Sequence, residues 1–526
     1  MARALCVPVF ISALASLGGM QAPRFDLAIV HGVVVDGSGA PRRRADVGIR
    51  NGRIVTVGVL RGSATETIDA AGLIVAPGFI DVHTHADGIA ETPRAENFVR
   101  MGVTSIVAGN CGRSALDIGD ALAVISQTGL SVNYATLIGH NTVRRAVMGT
   151  ENRDATVSEL GRMRSLVWRA MADGAVGLST GLEYVPGVYA RTPEILDLAR
   201  IAGTAGGVYA SHMRNEGTDL EEAVAETIRI GEMAGCRVQI SHLKVDSPAR
   251  WGSSGRALAL IDAARARRVD VEADEYAYAA ASADLAIRFP AWALEGGTIA
   301  TRARLNDPAS WTKIRAEMRA SLALRGLDDL AFAVVTAYPP APDLQGLTMR
   351  QVAQKLYGVD APDAQFDAAR QLMLGGGATM VYHLMAEKDV VQIMASPWVS
   401  IASDSAVLGA EDGVPHPRGF GNNARVLGEY VRTRRVLTLE EAVRKMTSLP
   451  AEHFRFDRRG LVKEGYAGDI TVFDPATIAD RATYDKPQAF PSGIPYVFVN
   501  GVAVVRKGEH TDARPGHVLA ASVVTR

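Results

Sequence analysis

The sequence predicts an α/β protein: a (β/α)8 TIM-like barrel with a small β-sandwich domain formed by both chain ends and an inserted lid subdomain. Three features of the 526-residue chain predict this fold. Short apolar strands alternate with helical stretches through the middle of the chain, which is typical of βα units and a parallel sheet. β-rich hairpins occur at both ends. One interval between strands is too long for a single crossover helix, and the whole chain is too long for one small core.

The two chain ends share one pattern of β structure. Residues 25–75 are rich in β-branched residues, and Asn51-Gly52 is a strong signal for a two-residue hairpin turn. Near the other end, "GDITVFDP" and "PYVFVNGVAVVRKGE" repeat this pattern, with Asn500-Gly501 as the turn. We therefore expect the two ends to build one β-sandwich together. The predicted domains are a sandwich from 23–75 plus 455–526 and a metal-dependent barrel over 76–454.

Eight short apolar segments in the middle of the chain are the predicted barrel strands. They are 78–85, 104–111, 133–140, 174–184, 207–214, 236–244, 269–276 and 398–405. Helical patterns such as 220–235 lie between them, as a (β/α)8 barrel requires. The stretch around 285–395 is longer than one crossover needs, and we interpret it as the inserted lid subdomain.

Composition and charge exclude two classes of function. Hydrophobic residues make up 48% of the chain and charged residues 21%, as in ordinary globular enzymes. The formal net charge is −1 and there is no long basic run, so nucleic-acid binding has no electrostatic basis. Beyond the N-terminal segment, no apolar run is long enough and free enough of charge to span a membrane. The three cysteines cannot build a disulfide framework.

The opening segment, residues 1–22, resembles a secretory signal peptide. Arg3 precedes an apolar stretch that contains Cys6, and small residues follow it. If this segment is cleaved, we expect a periplasmic or secreted enzyme with two remaining cysteines. The alternative is an N-terminal extension on a cytoplasmic protein.

Residues that can bind a metal recur at the ends of the predicted strands, where barrel enzymes carry their chemistry. His83 and His85 end the first strand, and residues two apart in a strand point to the same face. The second, fifth, sixth and eighth strands end with Cys111, His212, His242 and Asp404. A single histidine there would more often be a buried core residue, but the whole set favours a metal site. Imidazole, thiolate and carboxylate ligands together suit zinc best.

Six segments resemble one enzyme family. "PGFIDVHTHAD" is similar to the first-strand signature of the metal-dependent amidohydrolase superfamily. In chain order, "GNCG", "GLEYVPG", "ASHMRNE", "ISHLK" and "HPRGFG" resemble the N-acyl-D-amino-acid deacylases, also called D-aminoacylases. The resemblance extends from about residue 25 to about residue 510. It implies zinc-dependent hydrolysis of the amide bond of N-acyl-D-amino acids, which gives a carboxylate and a free D-amino acid.

The resemblance also implies a role for each ligand. Three residues would hold one tightly bound Zn²⁺ ion: Cys111, His212 and His242. Three would frame a second, weaker metal position, with the cysteine able to bridge the two: His83, His85 and Asp404.

A count of lysines separates this chain from other amidohydrolases. Many branches bridge two metals with a carboxylated lysine on the fourth strand, but the first lysine of this chain is Lys244, after the fifth strand. Cys111 or Glu183 could replace that bridge, and the resemblance favours Cys111. The two roles open to Glu183 are a bridging ligand and a hydrogen-bonded carboxylate behind the ligands. Cys236, which starts a strand, is predicted to be structural.

The predicted chemistry assigns Asp404 as general base, which accepts a proton from water and returns it to the leaving amine. The alternative for Asp404 is a helix N-cap, since "SDS" is good capping sequence. The product carries a carboxylate, so a cation should bind it. Lys244 shares the face of His242, and the resemblance points to Lys244 and Arg418, with Tyr184 and Tyr276 lining the site.

One departure from the family pattern affects Tyr276. The usual Tyr-Pro-Tyr appears here as "EYAYAA", with Ala277 in place of proline. We expect a looser backbone at this point.

Two other functions compete with the deacylase hypothesis. A related amidohydrolase could act on a dipeptide, a D-peptide or another amide with the same metal apparatus. A non-enzymatic scaffold of this fold would be free to lose its ligands, whereas this chain keeps the whole set. The expected partner is a small-molecule amide substrate. The sequence carries no signal for acyl preference, side-chain preference or oligomeric state.

Overall fold

The computed structural model describes residues 25–409 and 413–520. The segment 1–22, which resembles a signal peptide, lies outside these described residues, and that expectation stays a prediction. Within the described ranges, no helix combines the length and the apolar character needed to cross a membrane.

The two chain ends meet in two sheets. The first has four strands, in the spatial order Arg53–Gly58, Asp46–Arg50, Phe25–Val30 and Ala64–Asp69. The second has seven, in the order Glu509–His510, Val502–Arg506, Tyr496–Val499, Ile470–Phe473, Ile74–Pro77, Val33–Val34 and Arg43–Arg44. Its centre joins the two ends of the chain, because Ile74–Pro77 pairs antiparallel with Ile470–Phe473.

These two sheets share a hydrophobic core. Their inward side chains include Ile29 and Val47 from the first sheet and Val75, Ile470 and Phe498 from the second, and all five are buried in one cluster. Burial of an aliphatic or phenyl side chain of this size stabilises a fold by about 1.5–3 kcal/mol. Residues more than 400 positions apart are therefore held together by ordinary apolar packing as well as by strand pairing.

Parallel strands occupy the middle of the chain. One sheet contains Phe79–Asp81, Val103–Ala108 and Asn133–Thr136, with the second of these in the centre. A six-stranded sheet follows in the order Ile138–Gly139, Gly177–Gly181, Val208–His212, Arg237–Ile240, Val271–Glu275 and Val399–Ile401. Thr84–His85 pairs in parallel with Ser405–Ala406. Each of the eight predicted strand segments overlaps at least one of these strands.

The central strands are covered on both faces. Val103–Ala108, for example, is buried at all six positions. Both faces of a parallel strand are normally hidden, because the crossover helices pack against them. The helices of this region are Glu96–Val99, Ile118–Thr128, His140–Met148, Val157–Ala172, Thr192–Thr204, Leu220–Ala234, Ser254–Ala266, Glu387–Ala395, Arg418–Arg425, Leu439–Met446 and Ser448–His453, with a π-helix over Val426–Thr433.

A separate unit interrupts the series of parallel strands. Its antiparallel sheet has the order Ala281–Asp284, Thr379–Tyr382 and Ala333–Ala337. Its helices are Gly297–Asn306, Pro308–Leu324, Met349–Tyr357 and Pro362–Leu374. Trp311, Ile314 and Phe366 belong to its own buried cluster. The unit begins with the strand Ala281–Asp284, slightly before the predicted start at 285. It ends before the predicted limit at 395, because the helix Glu387–Ala395 packs on the helix Ser254–Ala266.

Candidate metal centre

All six predicted ligands lie together at the carboxyl ends of the parallel strands. His83 lies between the strands Phe79–Asp81 and Thr84–His85, and Cys111 lies three residues after Val103–Ala108. The remaining ligands are His85, His212, His242 and Asp404. Carboxyl ends of parallel strands share one edge of a sheet, which is why residues far apart in sequence meet here.

The Cys111 sulfur lies at the centre of this group. Its Sγ atom is 3.4 Å from His83 Nε2, 3.5 Å from His242 Nε2 and 3.7 Å from His212 Nδ1. Two ligands of one zinc ion, with Zn–S of about 2.3 Å and Zn–N of about 2.0–2.1 Å, are about 3.6 Å apart in a tetrahedral site. The residues present therefore fit a zinc ion in both donor chemistry and spacing.

A second group of ligands adjoins the first. His85 Nε2 lies 3.0 Å and His83 Nε2 3.6 Å from Asp404 Oδ1. His83 Nε2 thus faces both Cys111 and Asp404 and belongs to both groups. The two groups together could hold two metal ions, with His83 Nε2 as a ligand of one of them.

Three ligands have unusual backbone geometry. The φ angles of Cys111, His242 and Asp404 are 50°, 35° and 51°. Left-handed backbone is costly for residues with a Cβ atom and tends to persist at functional sites where the surrounding structure holds it. The turn at Cys111 is also close-packed, because a Cβ atom on Gly112, whose φ is 74°, would lie 2.2 Å from Asn141 Oδ1. Gly112 therefore lets the chain turn sharply and bring the sulfur to the centre.

A carboxylate lies against the outer nitrogen of each central imidazole. His83 Nδ1 is 3.1 Å from Asp274 Oδ1, and His242 Nδ1 is 2.8 Å from Glu216 Oε1. His212 Nε2 is 3.5 Å from Glu183 Oε2. Carboxylates in this position fix the orientation of a histidine ligand and raise its basicity.

Two of these carboxylates were not predicted from the sequence. Glu216 stands inside the quoted segment "ASHMRNE", and Asp274 stands in the strand segment "VEADEY". Both side chains are almost completely buried. The available signal for Asp274 was an acidic residue within a predicted barrel strand, where both faces are expected to be buried. Glu183 lies beside His212 Nε2, which is the arrangement of a carboxylate that supports a histidine ligand.

Electrostatics favour the thiolate form of Cys111. Burial by itself raises the pKa of this thiol, but the neighbouring His83 and His242 outweigh burial and hold its pKa well below the ordinary range. A thiolate is the form that binds a metal.

The cations expected to bind substrate are paired with the centre. Lys244 Nζ donates to Glu216 Oε2 at 2.7 Å and lies 2.8 Å from His242 Nδ1. Arg418 Nη1 lies 2.8 Å from Asp404 Oδ2. Both side chains are buried. The structure thus brings both cations next to the predicted ligands. The charge and spacing of residues in the sequence do not by themselves specify these contacts.

The two predicted tyrosines flank the centre. The Tyr184 ring lies 4.6 Å from the His212 ring, centroid to centroid. The guanidinium carbon of Arg418 lies 4.5 Å from the centroid of Tyr276, and the Tyr276 hydroxyl faces Met385 Sδ at 3.5 Å. The expected looser backbone beside Tyr276 is wrong, because Ala277 is fully buried and its N–H donates to Asn422 Oδ1 at 2.8 Å. Proline could not make this hydrogen bond.

A cavity of about 480 Å³ opens above the ligands. Its floor includes His85, Cys111 and Asp404, and its walls include Thr336 and Ser282 of the inserted unit. The volume falls in the range of small-molecule sites. An ion pair between Arg113 and Asp284 links the metal-centre loop to the inserted unit.

Comparison with known proteins agrees with this geometry. Residues 66–505 match the family described as "Amidohydrolase family". A D-aminoacylase from Alcaligenes xylosoxydans xylosoxydans is 38% identical over 525 residues, which cover 94% of this chain and 98% of the relative.

Two solved structures are similar over nearly the whole chain. The N-acyl-D-glutamate deacylase of Bordetella bronchiseptica, complexed with zinc and a phosphonate mimic of the tetrahedral intermediate, is 36% identical with a TM-score of 0.83 and covers 95% of this chain and 100% of its own. The other is a D-aminoacylase whose binuclear metal centre is described by one-metal activation and second-metal attenuation. It is 37% identical with a TM-score of 0.82, and the match covers 94% of this chain and 100% of that chain. Because both the family match and these similarities span most of its length, the chain belongs to the amidohydrolase family, in the branch of the D-aminoacylases.

Proposed function

We propose that this protein catalyses zinc-dependent hydrolysis of the amide bond of N-acyl-D-amino acids, giving a carboxylate and a free D-amino acid. One observation carries the proposal: the Cys111 sulfur lies within 3.7 Å of a nitrogen of each of three imidazoles. That cysteine-centred group stands in a chain that is 38% identical to a D-aminoacylase. Lysine-bridged relatives would need a lysine on the fourth strand, where this chain has none.

The ligands divide into two groups. Cys111, His212 and His242 would hold the tightly bound zinc, while His83, His85 and Asp404 would frame a weaker second position. When bound, zinc supplies a Lewis acid that lowers the pKa of water and polarises the scissile carbonyl. The carboxylates of Asp274, Glu216 and Glu183 lie against the outer nitrogens of His83, His242 and His212 and would keep each imidazole oriented toward its own metal position.

Asp404 would move the proton. Burial by itself raises the pKa of its carboxyl. The positive charges of Arg418, His242 and His83 and a hydrogen bond from His85 outweigh burial, so the pKa lies below its ordinary value. Asp404 is therefore ionised at neutral pH and can accept a proton from the attacking water. It would then give that proton to the leaving amine.

Lys244 and Arg418 would bind the carboxylate of the substrate. An ammonium group has three N–H donors, and the two contacts of Lys244, with Glu216 and His242, leave one more donor for a substrate carboxylate. The Arg418 guanidinium has five donors, of which Nη1 faces Asp404. Both cations thus have donors to spare. Tyr184 and Tyr276 would line the same space.

The architecture supports a finer description of the fold. The strands at the ends of the central series, Thr84–His85 and Ser405–Ala406, pair with each other. Asn133–Thr136 and Ile138–Gly139 lie in one predicted strand segment and join the two larger parallel sheets. These pairings support closure into one (β/α)8 barrel over 76–454. The shared core of the chain-end sheets supports a β-sandwich of 23–75 plus 455–526, and the inserted unit over the cavity supports a lid.

A substrate panel tests the function. Zinc-loaded enzyme would be assayed for steady-state hydrolysis of N-acetyl-D-amino and N-acetyl-L-amino acids with acidic, basic and apolar side chains. We expect kcat/KM to be higher for the D form of at least one pair. Hydrolysis without a preference for D amino acids would contradict this substrate class and favour a related amide, such as a dipeptide. Absence of amide hydrolysis by zinc-loaded protein would contradict the enzymatic function.

A further inference from the structure

A separate group of side chains of the types that can bind a metal lies at the opposite end of the parallel strands. The strand Val271–Glu275 leads at its carboxyl end to Tyr276 beside the metal centre. At its beginning, Asp270 and Glu272 are two residues apart and so point to the same side. His453, the last residue of the helix Ser448–His453, lies against both carboxylates.

The distances in this group fit ligands of one ion better than hydrogen bonds. His453 Nδ1 lies 3.7 Å from Asp270 Oδ1 and 3.7 Å from Glu272 Oε1. Hydrogen bonds between nitrogen and oxygen are about 2.7–3.2 Å long. Two ligands about 2.1 Å from a tetrahedral metal ion are about 3.4 Å apart. The spacing resembles that of the cysteine-centred group, where the sulfur lies 3.4–3.7 Å from its neighbours.

Buried polar atoms in this group lack hydrogen bonds. The His453 side chain is completely buried, and neither of its ring nitrogens has a hydrogen-bond partner among the described residues. Glu272 is 5% exposed, and its Oε2 atom also has none. Burial raises the pKa of Glu272 to about 7. Leaving such groups without a partner costs about 1–3 kcal/mol each, and an ion bound between them would remove that cost.

The nearby cations satisfy only part of the group. Arg265 Nη1 donates to Asp270 Oδ1 at 3.3 Å, which is a long contact on the solvent side. Arg237 also lies nearby: its Nη2 donates to the backbone oxygen of Gly206, and its buried Nε and Nη1 have no hydrogen-bond partner among the described residues. The positive charges of Arg237 and Arg444 act on the group without a hydrogen bond to it. The side chain of Asp270 is 49% exposed, so an ion can reach the group from solvent.

We propose that Asp270, Glu272 and His453 bind a divalent cation of the zinc class, with water completing the coordination. Imidazole nitrogen and carboxylate oxygen are both zinc ligands. The ion would be structural, because it would tie the start of a central strand to the helix Ser448–His453. It would act independently of the catalytic centre and of the proposed function.

Metal analysis of the full-length protein tests the proposal. The wild type and the variants Asp270→Asn and Glu272→Gln would be equilibrated with zinc at a buffered free concentration, and zinc per chain would be measured by mass spectrometry. We expect each variant to hold about one zinc fewer per chain at a concentration that saturates the wild type, with unchanged amide hydrolysis. Asp262→Asn, an exposed substitution on the neighbouring helix Ser254–Ala266, is the matched control and should keep the wild-type zinc content.

A Cys111→Ala background separates this site from the catalytic centre. In that background we expect zinc to raise the midpoint of thermal unfolding, and Asp270→Asn to abolish the rise. Because Asp270 is half exposed, its substitution should leave the fold intact. Equal zinc content in the wild type, Asp270→Asn and Glu272→Gln, or an equal thermal response with and without Asp270→Asn, would overturn the proposal.

Discussion

Cys111 Sγ lies 3.5 Å from His242 Nε2, although the two residues are 131 positions apart. Both follow parallel strands, and both have left-handed backbone, with φ of 50° and 35°. The fold therefore holds the thiolate and the imidazole together at the cost of local strain. Such preorganisation is characteristic of sites that bind a metal or a transition state.

Replacement of the proposed base should reduce turnover while the tight metal site remains. Asp404→Asn keeps the size of the side chain but removes the group that accepts a proton. We expect kcat to fall by about 10²–10⁴-fold, with zinc still bound by Cys111, His212 and His242. Single-turnover kinetics and zinc content would be measured together. Turnover within threefold of wild type would exclude Asp404 as the general base.

Glu216 should act on the metal through His242. Its Oε1 atom lies 2.8 Å from His242 Nδ1, and its Oε2 accepts from Lys244. Glu216→Gln should weaken zinc affinity by about 10–100-fold, measured by competition with a chelator. The control is Glu222→Gln, an exposed substitution on the helix Leu220–Ala234. Equal zinc affinity in Glu216→Gln and the wild type would show that His242 does not depend on this carboxylate.

Lys244 should discriminate substrates by their carboxylate. Lys244→Gln removes the charge, and a charge-assisted hydrogen bond contributes about 1.5–3 kcal/mol. We expect kcat/KM for an N-acetyl-D-amino acid to fall about 10- to 150-fold, with a much smaller fall for the matching N-acetyl amine without a carboxylate. Lys388→Gln, an exposed change, serves as control. Equal losses on both substrates would assign Lys244 to support of His242 alone.

The inserted unit should depend on its own core. Phe366 is fully buried in the cluster that also contains Trp311 and Ile314. Phe366→Ala should lower the free energy of unfolding of this unit by about 3–5 kcal/mol, and Phe366→Leu by less. Chemical denaturation followed by tryptophan fluorescence would measure both. If both variants have the same free energy of unfolding as the wild type, this core does not hold the unit together.

Much of the fold could be predicted because buried strands leave a simple hydrophobic pattern in the sequence. Strands covered on both faces appear as short apolar runs, such as Val103–Ala108, and the Asn-Gly turns mark the hairpins of the chain ends. The strand Ala281–Asp284 escaped prediction because it is short, half exposed and rich in alanine. It pairs with Thr379–Tyr382, about 100 residues later, and no local pattern encodes that pairing.

The metal ligands were easier to predict than the carboxylates that contact them. His83 and His85 are two residues apart, as side chains on one face of a strand are, and Cys111 and Asp404 end apolar runs. Glu216 lies in a loop, so its contact with His242 depends on the three-dimensional path of that loop. Partners of this kind follow from tertiary structure, and spacing along the chain does not reveal them.

The central claim is that Cys111 is a zinc ligand, and zinc content together with turnover of Cys111→Ala tests it most directly. Cys236→Ala is the matched control, because Cys236 is also buried but its sulfur contacts the backbone oxygen of Ala199 at 3.0 Å, away from the metal centre. Both proteins would be purified, dialysed against buffered zinc and assayed side by side. The account predicts that Cys111→Ala loses the tightly bound zinc and nearly all amide hydrolysis, while Cys236→Ala keeps both. A Cys111→Ala enzyme with full zinc content and normal turnover would contradict it.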